Sequence, residues 1–563
     1  MGWRLATSKT SRFSLRSVSC RTHQQFHGRR YGKALVDFCQ RWKDADAELA
    51  DRVTMVELCW VNTSAQLHLV EMLHPAVNDE IRRIFEDSLA VLARKLDLTV
   101  VQVQKLQDPC SDARPGFLHF RRRARSSKYA WSQTVLDDAI QDLEAWQGRC
   151  KMALDLNMRD PNPLIDEMLK KLRQTQHPAD PAVGAQGATA TATAASPLSL
   201  TGGIRDALQP TGTQPSVFLP NAVFETTAAI PFSRARAACM QSPSRTRWFI
   251  LDTLPCRPQT NVRALQNDVR GLALKLRHAD PFAFGLFNCK GAMQAFKPPP
   301  RQLDLAGFDL VFNVPEGIDV KQVQSLRALL LSRDGAPSLS RRVRLAQELA
   351  TSVSYVHTFD FVHKNIRPES VLLFQETQGD SGSSQPGIFT ATPANRRTSF
   401  LIGFESFRSA AGDTSLTGDQ DWAHNIYRHP ERMGEFPAEA YKMQHDIYSL
   451  GVCLLEIGLW EPLVEYVYRS GGDAEPEYGR VCHEFVGTGK HWGYFKDYLV
   501  GLAKNELPRR MGDRYAEVVV TCLTCLDGDG DFGDQAEVAD DDGILVGVRF
   551  IETIFGQLKE IVL

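Results

Sequence analysis

The sequence predicts an α+β protein in two parts: a helical bundle, then a region where short strands precede long helices. Three observations predict it. Apolar residues recur at three- and four-residue steps from about Tyr31 to Asn162. The composition then collapses to small residues and prolines between His177 and Ser216. Beyond that, short apolar runs alternate with helical periodicity. A chain of 563 residues has length for several domains at about 150 residues each.

The first predicted helical segment runs from Tyr31 to about Leu73, with Leu35, Phe38, Trp42, Leu49, Val53, Val56 and Trp60 on one face. Asp44, Asp46, Glu48, Asp51 and Arg52 fill the other face. A second, Val77 to about Leu96, carries Ile81, Ile84, Phe85, Leu89 and Leu92. A third, Ala130 to Met158, carries Leu136, Ile140, Leu143, Trp146 and Met152. Antiparallel helices with such stripes pack as a bundle, placed at 31–175. The cluster Arg121-Arg122-Arg123-Ala124-Arg125 reads as a solvated loop between the last two segments.

Residues 176–220 read as a flexible, low-complexity linker, because small residues bury too little to offset chain entropy. After it, Trp248–Leu251, Phe284–Asn288 and Phe308–Val314 read as strands. Asn261–Arg277, Val323–Leu331 and Ser338–Thr358 read as helices, and Ala438–Leu563 as mainly helical. A second low-complexity insert covers 375–397, and 527–543 is an acidic loop with eight acids and no base.

The formal charge of -2 gives no general drive toward nucleic acid, and none is expected as a partner. No run of about 18 apolar residues predicts a transmembrane helix. The twelve scattered cysteines read as reduced, mostly buried thiols of an intracellular protein, so the compartment expected is the cytoplasm. The first 36 residues hold eight Lys/Arg and no acid, and are rich in Ser and Thr. A mitochondrial transit peptide is the minority reading; a basic tail over 1–30, or a misplaced gene start, is the other. Asp527, Asp529 and Asp531 resemble the start of a calcium loop, but Phe532 and Val538 occupy its Gly and Glu positions. Cys522 and Cys525 lack a second pair at zinc spacing, so no metal site is predicted.

One stretch carries recognition. Val362-His363-Lys364-Asn365-Ile366-Arg367-Pro368-Glu369-Ser370 follows a long helix and precedes an apolar run. It resembles the catalytic loop of protein kinases. Further on come Leu401-Ile402-Gly403-Phe404-Glu405 at the D-F-G position and Tyr427-Arg428-His429-Pro430-Glu431 at the A-P-E position. Asp446-Ile447-Tyr448-Ser449-Leu450-Gly451-Val452 then resembles the opening of the central helix. Four landmarks in order are far more specific than one. The resemblance implies a bilobal kinase-like domain, with a β-rich lobe over 221–316 and an α-rich lobe over 317–563. Leu276–Pro281 resembles the turn after the kinase C helix, and Glu316-Gly317 falls at the hinge.

The chemistry departs from the family. Asn365 stands at the base position and has no useful basicity. Gly403 stands at the metal-acid position and offers no ligand, so Mg²⁺ is not expected. Ser370 replaces the second metal-binding residue, while Arg367 keeps the charge of the loop lysine. No glycine-rich loop precedes Trp248, and Asp252 lies near the position of the strand lysine, with Arg245 and Arg247 as candidate substitutes. Asp268 and Val269 fall where the C-helix glutamate belongs. By the resemblance, His363, Phe404, Pro430, Glu431 and Asp446 keep packing roles. That split implies a folded pseudokinase, with ATP the one ligand to test.

The whole chain is similar to fungal proteins that join a helical, HeLo-like domain to a kinase-like domain bearing V-H-K-N-I-R-P-E. The expected function is a catalytically impaired signalling or scaffold protein with protein partners, in incompatibility or cell-death signalling. The alternatives are an unorthodox kinase using Arg367 and Glu405, and a membrane-active effector controlled by its pseudokinase. For the last, the basic N-terminus lacks the apolar segment of HeLo domains.

Overall fold

A computed structural model describes residues 29–37, 39, 47–107, 118–176, 197–209, 216–220, 224–242, 245–256, 261–296, 304–332, 335–374, 398–409, 418–437, 440–468, 474–528, 530, 532–533 and 543–561. Residues 1–28 of the basic tail, the insert 375–397 and most of the acidic loop lie outside them. The fold is α+β: an N-terminal helical region, a small antiparallel sheet and a mainly helical remainder. The chain divides into two compact units, one of 1–157 and 162–178, the other of 158–161 and 179–563. Among the described residues, no helix is long and apolar enough to cross a membrane.

The first unit holds α1 (Ala47–Leu73), α2 (Asp79–Gln107), α3 (Leu118–Asn157) and α4 (Pro163–Gln176). Both α1 and α2 pack along α3. Val53, Val56 and Val70 of α1, Ile81, Phe85 and Leu92 of α2, and Leu136, Leu143 and Met152 of α3 are all buried. The cluster 121–125 is helical rather than a loop, because its Arg and Ala residues are strong helix formers and extend α3 toward its N-terminus.

The expected linker is partly structured. α5 (Pro197–Leu208) starts with Pro at its first position and buries Leu198, Ile204 and Ala207. It packs against α6 (Val262–Leu276), which Asn261 caps by accepting from Arg263 N and Ala264 N. The short piece 158–161 is held in this unit by arginines. Arg159 Nη1 donates to His357 O at 2.8 Å and Nη2 to Asp360 Oδ1 at 3.0 Å; Arg205 Nη1 donates to Met158 O at 2.9 Å.

Five antiparallel strands run in the order β1 (Thr226–Ala229), β2 (Arg236–Ser242), β3 (Arg245–Pro255), β5 (Leu305–Asn313) and β4 (Cys289–Phe296). Side chains alternate between the two faces. Ala238, Phe249, Leu251, Met293 and Val311 pack on one face. Asp252 shares its parity with Ile250 and Leu254, so it lies on the other face. The strand expected at 284–288 does not form: Phe284 ends a helical turn, Pro281–Phe284, that Asp280 caps by accepting from Ala283 N, and beyond it Leu286 makes only an isolated bridge to Leu401. The strand begins later, at Cys289.

Beyond the sheet come β6 (Gln324–Ser325), α7 (Leu326–Leu330), α8 (Leu339–Thr358), β7 (Phe361–Val362), β8 (Val371–Leu373), β9 (Ser399–Leu401) and β10 (Arg408–Ser409). α9 (Met443–Leu459) is buried on every side, as its apolar composition requires. α8, α11 (Phe495–Met511) and α12 (Asp513–Leu523) pack around it. Gly451 permits the closest approach: a Cβ there would lie 2.7 Å from Cys522 Cβ. The hairpin of β11 (Val464–Tyr468) and β12 (Ala474–Tyr478) interrupts the expected helical stretch before α10 (Arg480–Gly487). Val464, Tyr466 and Tyr468 alternate with Glu465 and Val467, a strand pattern with a strand composition.

Candidate functional site

Two turns flank β7, and the segment 363–370 begins in the second. Asp360 and Lys364 both adopt left-handed backbone, with φ of 62° and 63°. Asp446, at the start of α9, fixes the second turn. Its Oδ2 accepts from His363 N at 2.7 Å and its Oδ1 from Lys364 N at 2.9 Å. Tyr441 OH donates to Oδ1 at 2.6 Å, and His357 Nε2 lies 3.1 Å from Oδ2. Burial alone would raise the Asp446 pKa, but the His357 and Tyr441 contacts hold it below the ordinary value.

His363 is fully buried, and neither ring nitrogen has a hydrogen-bond partner. Burial lowers its pKa to about 4, so the ring is neutral at pH 7. It packs 4.9 Å from the Phe404 ring, which in turn lies 6.3 Å from Phe312 of β5. These three rings join the sheet to the segment below.

Asn365, Arg367, Ser370 and Gly403 come together. Asn365 Nδ2 donates to Gly403 O at 3.0 Å, and its Oδ1 accepts from Arg367 Nε at 2.8 Å. Ser370 Oγ donates to Arg367 O at 2.8 Å and accepts from Arg367 N at 3.2 Å. Gly403 has φ of 90°, and a Cβ there would fall 2.9 Å from Ser370 Cβ and 3.1 Å from Asn365 Nδ2. Position 403 therefore has no room for a carboxylate side chain without rearrangement.

Asp252 closes the site from β3. Its Oδ2 accepts from Gly403 N at 3.0 Å and Phe404 N at 2.8 Å. It is 1% exposed. Burial pushes its pKa up to about 6, against the pull of those two backbone donors. Arg247, one candidate substitute for the strand lysine, does not take this place. Arg247 is exposed and lines a separate cavity of about 390 Å³ between the start of β3 and residues 313–320. Arg245 stands at the first position of β3, and its side chain lies outside the described residues. On α6, Asp268 is exposed and Val269 buried.

The charges around the site pair internally. Glu405 takes an ion pair from Arg234, in the turn between β1 and β2, and lies 3.6 Å from Arg367 Nη2. Arg367 Nη1 lies 3.7 Å from Glu369 Oε2. Glu369 Oε1 accepts from Arg327 Nε at 2.7 Å, and Arg327 Nη1 donates to Glu456 Oε1 at 3.1 Å. Three guanidinium groups thus alternate with three carboxylates from the sheet turn into α9. The cavity left among Asp252, Asn365, Arg367, Gly403 and Glu405 is about 10 Å³, room for one water at most.

Pro430 opens a short 3₁₀ turn, and the Glu431 carboxylate lies half-exposed, 3.3 Å from His429 Nδ1. His429, Glu431 and His445 place ligand-type atoms within 4.8 Å of one another. His445 Nδ1 accepts from Lys442 N at 2.8 Å, which puts the ring proton on Nε2 and removes that nitrogen as a neutral ligand.

Sequence reasoning found Asn365, Arg367, Ser370 and Gly403 and marked Asp252 as an acid out of place. It missed Arg234, Arg327 and Glu456; no local spacing signals partners 129 positions apart. Comparison of the chain with family models and with curated proteins found no match.

Proposed function

We propose that residues 221–563 form a kinase-like domain without phosphotransfer activity, serving as a signalling scaffold for the helical N-terminal part. The observation that carries this reading is Asp252. At the strand position where phosphoryl transfer needs a cation for the phosphates, a buried carboxylate binds the Gly403 and Phe404 amides instead. The strand order supports the reading, with a helix between β3 and β4 and a connecting turn after β5. Asn365 engages its amide with Gly403 O and Arg367, and an amide has no useful basicity toward a substrate hydroxyl.

An unorthodox kinase would need Glu405 as its metal-binding acid. Its carboxylate is engaged by Arg234 and Arg367, which argues against metal binding there. The test is a phosphotransfer assay on the full chain with Mg²⁺, Mn²⁺ and a generic protein substrate. The reading expects incorporation at the level of a no-protein blank, unchanged by Asn365→Asp. Metal-dependent incorporation that Arg367→Ala abolishes would sink it.

A further inference from the structure

We infer that the turn 230–235 between β1 and β2 is a latched lid, which closes the candidate site and whose release is the conformational change this unit can relay. The inference rests on reading the site as the counterpart of a kinase cleft. Three independent contacts hold the turn down. Arg234 pairs with Glu405 on the site floor. Ser325 Oγ donates to Pro231 O at 2.6 Å. The Phe232 ring lies 4.8 Å from Tyr466 of the β11–β12 hairpin.

The turn is shaped for closure at a conformational cost. Phe232 has φ of 55°, a backbone region that bulky residues avoid, so its ring contact must hold it there. The turn is otherwise ordered by its own bonds: Ser233 N donates to Ile230 O at 3.0 Å, Ile230 N to Ala235 O at 3.3 Å and Ala235 N to Ser233 Oγ at 3.2 Å. Ile230 and Ala235 are buried at its two ends.

The latch also connects inward. Ser325 caps α7 by accepting from Ala328 N at 3.1 Å while it donates to the lid. Two residues later Arg327 bridges Glu369 and Glu456. Lid and buried ion series therefore meet on the same short helix. Opening the lid takes Arg234 from Glu405 and leaves that carboxylate to Arg367, at the next step of the series. Such a contact changes between two arrangements rather than deforming gradually.

The test is hydrogen exchange on the full chain, followed at the Ile230, Ser233 and Ala235 amides. Two variants each remove one latch, Arg234→Ala at the half-exposed rim and Ser325→Ala at the α7 cap. The lid predicts protected amides in the unmodified protein and exchange at least tenfold faster in Arg234→Ala. The Gly403 and Phe404 amides beneath should quicken with them, while the α9 amides stay unchanged. Unprotected lid amides in the unmodified protein would overturn the inference. So would exchange unchanged in both variants, or faster only in step with α9. Phosphotransfer by the unmodified protein would sink the functional reading without touching this result. Unchanged exchange would sink the lid and leave the missing chemistry as it stands.

Discussion

Arg327→Met is expected to destabilise the second unit by about 3–5 kcal/mol at pH 7, the typical cost of breaking a buried ion pair from one side. The side chain is 0% exposed. It is the cation that Glu369 and Glu456 share, and its third nitrogen meets the Tyr427 hydroxyl. Burial raises both carboxyl groups; the neighbouring Arg327 and Arg367 overcome it at Glu369 and bring that pKa below its ordinary value. At Glu456 burial prevails and the pKa stays raised. Methionine fills a similar volume and leaves Glu456 to a hydroxyl and the Leu463 amide, which donates at 2.7 Å. Adding Glu456→Gln should recover part of the loss, because it removes the uncompensated charge and keeps an acceptor. Urea unfolding of the three proteins checks this. A loss below about 1 kcal/mol for Arg327→Met would show that the buried series is not a stabilising unit.

Asp252→Ala is the second large effect, and Asp252→Asn separates its causes. Alanine strands the Gly403 and Phe404 amides inside the protein, at about 1–3 kcal/mol for each lost acceptor. Asparagine keeps an oxygen for both amides and removes the charge. The pKa of Asp252 is raised in the fold, from 3.8 to about 6. Its contribution to stability is therefore complete below pH 4 and declines as pH rises through 6. Relative to the unmodified protein, Asp252→Asn should gain stability between pH 4 and 7, approaching about 3 kcal/mol at about 1.4 kcal/mol per pKa unit. Denaturant midpoints across that range decide it. A pH-independent difference between Asp252→Asn and the unmodified protein would mean that Asp252 is not the raised carboxyl.

The helical region was legible because apolar spacing over tens of residues is a strong signal; Val53, Val56, Ile81, Phe85 and Leu143, each read on the apolar face of its own segment, are buried, while Trp60 and Ile140 are partly so. Short apolar runs were less legible. Phe284–Asn288 reads as a strand, but the Asp280 cap draws Phe284 into a helical turn and the strand starts only at Cys289. α5 was hidden by the small-residue stretch before it, although Leu200, Ile204 and Leu208 recur at four-residue steps. The β11–β12 hairpin was lost inside a region where helices dominate, since five-residue strands carry little periodicity. At the site, Asn365, Arg367, Ser370 and Gly403 could be read because each falls in a short recognisable motif, although Gly403 lies 38 positions from Asn365. The ion series could not, because Arg327 and Glu456 fall in no such motif, and Arg327 pairs across 42 positions with Glu369 and 129 with Glu456. Gly403 shows what spacing alone leaves out. The sequence marks the missing acid, while the fold adds that Ser370 and Asn365 fill the space an acid would need.

Thermal unfolding of the full chain in ATP, with and without Mg²⁺, tests the central claim most directly. A site holding nucleotide at about 100 times its dissociation constant gains about 2.7 kcal/mol, a shift of several degrees. With about 10 Å³ among Asp252, Asn365, Arg367 and Glu405, the account predicts no shift in either condition. A shift that requires Mg²⁺ would contradict it outright, since it would demand metal ligands at a site whose carboxylates are already paired or bonded to backbone.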